Sequence, residues 1–268
     1  MPRFSANLTL LFTEVPFLDR FAAAAAAGFR AVEFVSPYAH PAEAIAARLR
    51  AHDLEVSVFN LPPGDWEHGD RGLACDPRRA AELRDSIPLA IAYARALRCP
   101  RVHCMAGIRP AGVHLHEIEA TYRASLRLAA DALAREELEL LVEAINDRDM
   151  PGYHVTTARQ ALEVIGAIGS PNLRFQLDAY HLHVMGEPPL ETLERNLGQV
   201  GHVQIADAPG RHEPGTGEID LAGFLRRLDA LGYRGWVGCE YRPATTTEAG
   251  LGWMRPWMER APGGRGEA

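Results

Sequence analysis

Short runs of apolar and β-branched residues alternate along the chain with longer alanine- and leucine-rich stretches of helical spacing. The short runs predict strands over residues 4–12, 31–35, 54–60, 101–105, 138–145, 173–178, 202–207 and 235–241. The longer stretches predict helices over 17–27, 41–52, 77–97, 117–136, 156–168, 190–197 and 221–231, with a last helical stretch over 246–258. Pro41 and Pro77 suit first-turn positions, and Asp76 can cap the helix after it. Gly28, Gly169 and Gly232 stand where helices should stop. Eight strands alternating with eight helices is the α/β pattern of a (β/α)8 TIM barrel; a doubly wound open sheet is the alternative. No linker, low-complexity block or charge run divides the chain. We therefore expect one barrel domain over residues 1–260 and a frayed tail, APGGRGEA, over 261–268.

The longest connections all follow predicted strands. They are LPPGDWEHGDRGLACD after the third, AGIRPAGVHLHE after the fourth, NDRDMPGYHV after the fifth and APGRHEPGTGEID after the seventh. In a barrel these share the C-terminal face, where active sites form. The opposite connections, such as residues 27–31, are short.

Four oxygen-bearing side chains, Glu143, Asp178, Gln204 and Glu240, sit at or near the downstream ends of the runs LELLVEAI, NLRFQLD, GHVQIAD and GWVGCEY. Neighbouring parallel strands would bring all four to one rim. A carboxylate inside an apolar run must be paired, protonated or metal-bound, because an unpaired buried charge is too costly. Glu143 alone reads equally well as a strand-end salt bridge. Four such side chains on successive strands point to one divalent cation, and an all-oxygen set favours Mg²⁺ or Mn²⁺ over Zn²⁺. Glu143 and Glu240, facing each other across it, would form a catalytic acid/base pair.

His181 can bond a substrate oxygen or orient a ligand, or be an ordinary loop histidine. His103 is either substrate-facing or a satisfied core histidine. His183, His202 and His212 read as structural or solvent-exposed. Arg211, in the glycine-rich loop GRHEPGTGE, is the first choice for a substrate carboxylate, with Arg148 and Arg109 as competitors. Trp66 can cover the pocket as part of a lid or anchor its own loop.

Composition narrows the function classes. The 268 residues carry a net charge of −7, against the basic footprint of a nucleic-acid binder. No apolar stretch reaches membrane-spanning length, and FAAAAAAGF lacks the basic flank of a signal peptide. The four cysteines lack C-x-x-C spacing and read as buried thiols of a cytoplasmic protein. All basic residues besides histidine are arginine, so Schiff-base, pyridoxal-phosphate and P-loop chemistry, each needing a lysine, are excluded. Self-association into a homo-oligomer is left open.

The segments FNLPPGDW, HCMAGI, VEAINDRDMPG, QLDAYH, HVQIAD, PGRHEPGTGEI and GWVGCEY resemble the hydroxypyruvate isomerase family, within the xylose-isomerase-like barrels. The resemblance runs from the first strand to about Trp253. It implies that Glu143, Asp178, Gln204 and Glu240 hold the metal and that Glu143 and Glu240 give and take the proton. It also implies a small hydroxy-keto acid substrate: hydroxypyruvate, interconverted with tartronate semialdehyde. The alternatives on the same site are 2-oxo-tetronate isomerisation and ketose 3-epimerisation. Related ketose epimerases carry histidine where this chain has Gln204, which leans towards the hydroxypyruvate branch. Alanine stands at 144 and 179 where family members carry proline and a larger apolar residue; neither position is a ligand. A DNA-repair endonuclease on this barrel would need a histidine-rich zinc cluster and a basic groove, and the sequence has neither. A non-catalytic barrel would have lost one of the glutamates.

Overall fold

Eight parallel strands close into a barrel in strict chain order, with β1 hydrogen-bonded to both β2 and β8. The computed structural model describes residues 1–258, so the expected tail at 261–268 lies outside the described residues. The strands are β1 (Arg3–Asn7), β2 (Ala31–Phe34), β3 (Glu55–Asn60), β4 (Arg101–His103), β5 (Glu139–Glu143), β6 (Leu173–Asp178), β7 (Val200–Ile205) and β8 (Trp236–Cys239). The main helices are α1 (Arg20–Ala26), α2 (Ala42–His52), α3 (Ala80–Leu97), α4 (Leu115–Ala134), α5 (Ala158–Ile168), α6 (Ala179–Val184), α7 (Pro189–Asn196) and α8 (Leu221–Ala230). This is the (β/α)8 TIM barrel that the alternation predicts, not an open sheet.

Local chemistry sets the boundaries. Thr157 and Gln160 form a reciprocal capping box at the start of α5, and Gly169 ends it in the left-handed region at φ 68°. Gly28 and Gly232 also take positive φ after their helices. Asp76 accepts from the Arg78 N–H, but what it caps is a 3-10 turn, Pro77–Arg79, ahead of α3. Pro41 stands one position before α2, as its cap residue.

Several expected boundaries shift. The first strand ends at Asn7 rather than Phe12, because the Asn7 carbonyl accepts from Leu10 and Leu11 and its side chain from Thr9, closing a turn. The seventh strand runs from Val200 to Ile205, two residues upstream of expectation. The expected 17–27 helix opens as a 3-10 turn, and the 246–258 stretch splits into three short helical pieces. α6 lies in a stretch expected to be a loop; Asp178 nucleates it by accepting from the N–H groups of Tyr180 and His181.

The core is continuous between the barrel wall and the helix ring. Inside the barrel the filling turns polar. Ser5, Asn7, Glu33, Ser57, Gln176, His202 and Gln204 are all buried there and bonded to one another across the strands. Polar filling of a barrel axis is costly unless its groups are paired; most are here, Gln176 Oε1 and His202 Nδ1 having no partner among the described residues, and that layer forms the floor of the site above it.

Candidate functional site

The strand registers place the site before any side chain is considered. Glu143 is level with Gln176, and Asp178 is level with Gln204, so these inward-facing polar residues occupy two successive levels at the ends of β5, β6 and β7. Glu240 directly follows β8. Glu143, Gln204, Glu240, His103, His181 and Arg211 line one cavity of about 110 Å³ that opens to solvent at the C-terminal ends of the strands.

Glu143 is 4 % exposed; its Oε2 accepts from Gln176 Nε2 at 3.0 Å, while Oε1 is buried without a hydrogen-bond partner among the described residues. Asp178 divides its two oxygens. Oδ1 caps α6, accepting from Tyr180 N at 2.8 Å and His181 N at 3.3 Å. Oδ2 lies 3.7 Å from His181 Nε2 and 3.5 Å from Arg211 Nη2, and Asp178 is buried beside the cavity rather than lining it. Facing atoms of Glu143, Asp178 and His181 all lie within 4.8 Å of one another. Arg211 also reaches Glu240 Oε2 at 3.2 Å.

The loop after β7 holds Arg211 in place. Asp207 accepts from the N–H groups of Ala208, Gly215, Gly217 and Ile219, drawing the glycine-rich loop around one carboxylate. A Cβ on Gly217 would lie 2.1 Å from the Ala208 carbonyl, so that close approach requires glycine. Arg211, in the left-handed region at φ 56°, turns back to donate from Nε to the Glu240 carbonyl at 3.2 Å.

The electrostatics follow from burial. Burial pushes the Glu143 carboxyl well above the usual carboxylate range, and Glu240 and Asp178 push it further. Burial raises Asp178 as well, against the pull of Arg211. Glu240 is pushed up to about 8 by burial, with Arg211 opposing and Asp178 adding. Burial holds His181 well below its ordinary value, Arg211 acting in the same direction. His103 is pushed down to about 3 by burial, then by His202. Both imidazoles are therefore neutral near pH 7.

The tautomer of His181 can be deduced. Asn146 is fully buried, and its Oδ1 accepts from the N–H groups of Arg148 and Asp149. Its Nδ2 therefore faces His181 Nδ1, at 2.6 Å. Nδ1 must be the acceptor, so the proton sits on Nε2 and points at Glu143 and Asp178. In this state His181 is a hydrogen-bond donor to the cavity, not a metal ligand.

These residues fit a divalent cation. Three carboxylates and one guanidinium carry a formal charge of −2 when ionised, and Glu143 Oε1 is a buried oxygen with nothing to accept.

Other sequence-based candidates fall elsewhere. Arg148 is an exposed neighbour of Asp147, and Arg109 is exposed outside the cavity lining. Trp66 lines the cavity mouth, 38 % exposed, under the Arg71 guanidinium. His183 pairs with Glu218, and His212 with the Arg242 carbonyl. His202 is fully buried against Glu33.

Glu33, Gln176, Asn146 and Arg242 border the site but did not stand out in the sequence. Gln176 and His202 had a usable signal: each lies two residues before an expected ligand, hence on the same inward face of its strand. Arg242, which lines the cavity, lies two residues after Glu240.

A family model described as xylose isomerase-like TIM barrel matches residues 21–257. The 2-oxo-tetronate isomerase of Cupriavidus necator is 46 % identical over 260 residues, covering 97 % of this chain and all of that protein. The hydroxypyruvate isomerase of Escherichia coli is 48 % identical over 257 residues, covering 96 % of this chain and all of that protein. A crystal structure from Brucella melitensis, described as an AP endonuclease of family 2, superposes with a TM-score of 0.93 at 45 % identity, covering 96 % of this chain and 99 % of that one.

Proposed function

The chain belongs to the hydroxypyruvate isomerase family of xylose isomerase-like TIM barrels, and from that premise we propose that it interconverts hydroxypyruvate and tartronate semialdehyde by proton transfer between two glutamates. It is an isomerase. The observation that carries the reading is Glu143: a buried carboxylate with one free oxygen and a raised pKa, grouped with Asp178 and facing the same cavity as Glu240.

Hydroxypyruvate places a ketone between a carboxylate and a CH₂OH group. Isomerisation removes a proton from C3 and delivers one to C2, through an enediolate, while the hydroxyl proton passes from O3 to O2. Glu143, Asp178, Gln204 and Glu240 would hold the divalent cation, and a hard all-oxygen set supports Mg²⁺ or Mn²⁺. That cation, when bound, supplies Lewis-acid polarisation of the substrate carbonyl. One glutamate takes the C3 proton and the other returns a proton to C2, with the roles exchanged in the reverse direction. A carboxyl whose proton affinity lies near the working pH suits both tasks. His181 donates its Nε2–H to the substrate oxygen on which negative charge develops, and Asn146 maintains the required tautomer.

The substrate carboxylate needs a cation. Arg211 is at the site but shared between Asp178 and Glu240. Arg242 lines the same cavity and makes no ion pair among the described residues. We assign the carboxylate to Arg211 and Arg242 together. His103 lies 3.7 Å from Glu143 and, being neutral, borders the substrate space from β4. All four cysteines are free and buried, which supports a cytoplasmic setting.

A second reading, 2-oxo-tetronate isomerisation, is favoured by the Cupriavidus relative, which matches about as well as the hydroxypyruvate isomerase. Turnover of hydroxypyruvate, 2-dehydrotetronates and free ketoses by Mg²⁺- or Mn²⁺-loaded protein decides between them. Hydroxypyruvate turnover with solvent deuterium at C2 is the expected result. Activity confined to free ketoses would defeat the proposal.

A further inference from the structure

Beneath the rim carboxylates lies a fourth acid that the proposed chemistry does not use. Glu33 is 1 % exposed at the barrel axis, and four donors converge on its carboxylate. Oε1 accepts from Asn7 Nδ2 at 3.1 Å and Gln204 Nε2 at 2.8 Å. Oε2 accepts from Ser57 Oγ at 3.0 Å and His202 Nε2 at 2.8 Å. The facing strand makes room for it: a Cβ on Gly238 would lie 2.4 Å from Glu33 Oε1.

The bond to Gln204 has a directional consequence. A carboxylate only accepts, so the Gln204 amide must present its nitrogen to Glu33, and its oxygen then points the other way. On that side Gln176 Nε2 donates to Gln204 Oε1 at 2.6 Å. Gln176 is itself aligned by Glu143, whose Oε2 accepts from the same nitrogen at 3.0 Å. Across Glu33, Gln204, Gln176 and Glu143 both end carboxylates accept: Gln176 Nε2 donates to Gln204 and to Glu143, and Gln204 Nε2 donates on to Glu33. Reversing Gln204 alone would set its oxygen against the Glu33 carboxylate and its NH₂ against that of Gln176.

We propose that Glu33 is a positioning residue which, with Gln176, fixes the polarity of the Gln204 amide, so that a neutral glutamine serves as an oxygen ligand. A glutamine offers oxygen and nitrogen ends of nearly equal shape, and only the oxygen coordinates a hard cation. An aspartate or glutamate ligand needs no such device, because both its ends are oxygen. The proposal rests on the reading of Gln204 as a ligand.

The test is Mn²⁺ affinity, measured by titration on the purified full chain without substrate. Glu33→Gln can face Gln204 with either end, so the amide loses its enforced polarity. We expect the dissociation constant to rise about 10–100-fold, the usual effect of losing a group behind a metal ligand. In Glu33→Gln/Gln204→Glu the ligand is a carboxylate with two equivalent ends, and the new amide at position 33 can donate to it; we expect affinity to return to the wild-type level or above. A double variant as weak as Glu33→Gln, or a Glu33→Gln variant that binds like wild type, overturns the proposal. Gln204→Ala keeps the two readings apart. Wild-type affinity in Gln204→Ala removes Gln204 from the ligand set. Weak binding there with normal binding in Glu33→Gln removes only the positioning role. Should Glu33→Gln not fold, Gln176→Leu, which deletes the opposite donor, is read in the same way.

Discussion

Raising the pH should destabilise the metal-free protein through its rim carboxylates, and Glu240 allows the size to be worked out. Its carboxyl is pushed up to about 8 from an ordinary 4.5, chiefly by burial. A folded-state value above the unfolded one means that the native protein binds this proton more tightly. The resulting stability is complete below about pH 4.5 and is lost as the pH rises through about 8. Between about pH 5.5 and pH 8.5 the loss for this one group comes to about 3 kcal/mol. In a chain of this size that lowers the melting temperature on the order of 6–12 °C. Glu143 and Asp178 are shifted in the same direction and add to the slope. The assay is thermal unfolding of chelator-treated protein across this range, beside Glu240→Gln as reference. The variant has no proton to lose at this position, so its melting temperature should fall by less. Saturating Mn²⁺, if the deprotonated rim binds it as proposed, should stabilise the wild type increasingly as the pH rises. Parallel pH profiles for wild type and Glu240→Gln would refute the reasoning, because the raised proton affinity would then not exist.

Glu143→Gln and Glu240→Gln should each lower turnover of the metal-loaded enzyme by about a hundredfold or more; a folded variant that keeps near-normal turnover excludes the two-glutamate scheme. Arg242→Gln should raise KM for hydroxypyruvate about tenfold or more with a smaller effect on kcat, since a lost charge-assisted hydrogen bond to the substrate carboxylate is worth about 1.5–3 kcal/mol. An unchanged KM assigns the carboxylate elsewhere. Gly238→Ala should destabilise the fold by about 2–4 kcal/mol by forcing the pinned Glu33 carboxylate off its donors; a melting temperature equal to wild type would show that Glu33 can move freely.

Much of this protein follows from one-dimensional pattern. Alternation of short apolar runs with amphipathic stretches sets the number and order of elements, because strands and helices bury their faces with different periods. The ligand candidates were legible for a related reason: a carboxylate in an apolar run is costly without a partner, so Glu143 and Glu240 stand out individually. What pattern does not contain is the partner. Glu33 and His202 lie 169 positions apart in the chain and share a hydrogen bond only because the sheet closes on itself. The same closure decides that Asp178 spends one oxygen on a helix start and turns the other to His181 and Arg211. It also decides which nitrogen of His181 carries the proton and which end of Gln204 faces the site. Hydrogen-bond direction depends on what stands opposite a group in three dimensions. The residue types and their rim were therefore readable from the chain, whereas the orientation of each amide, imidazole and carboxylate arises only in the closed barrel.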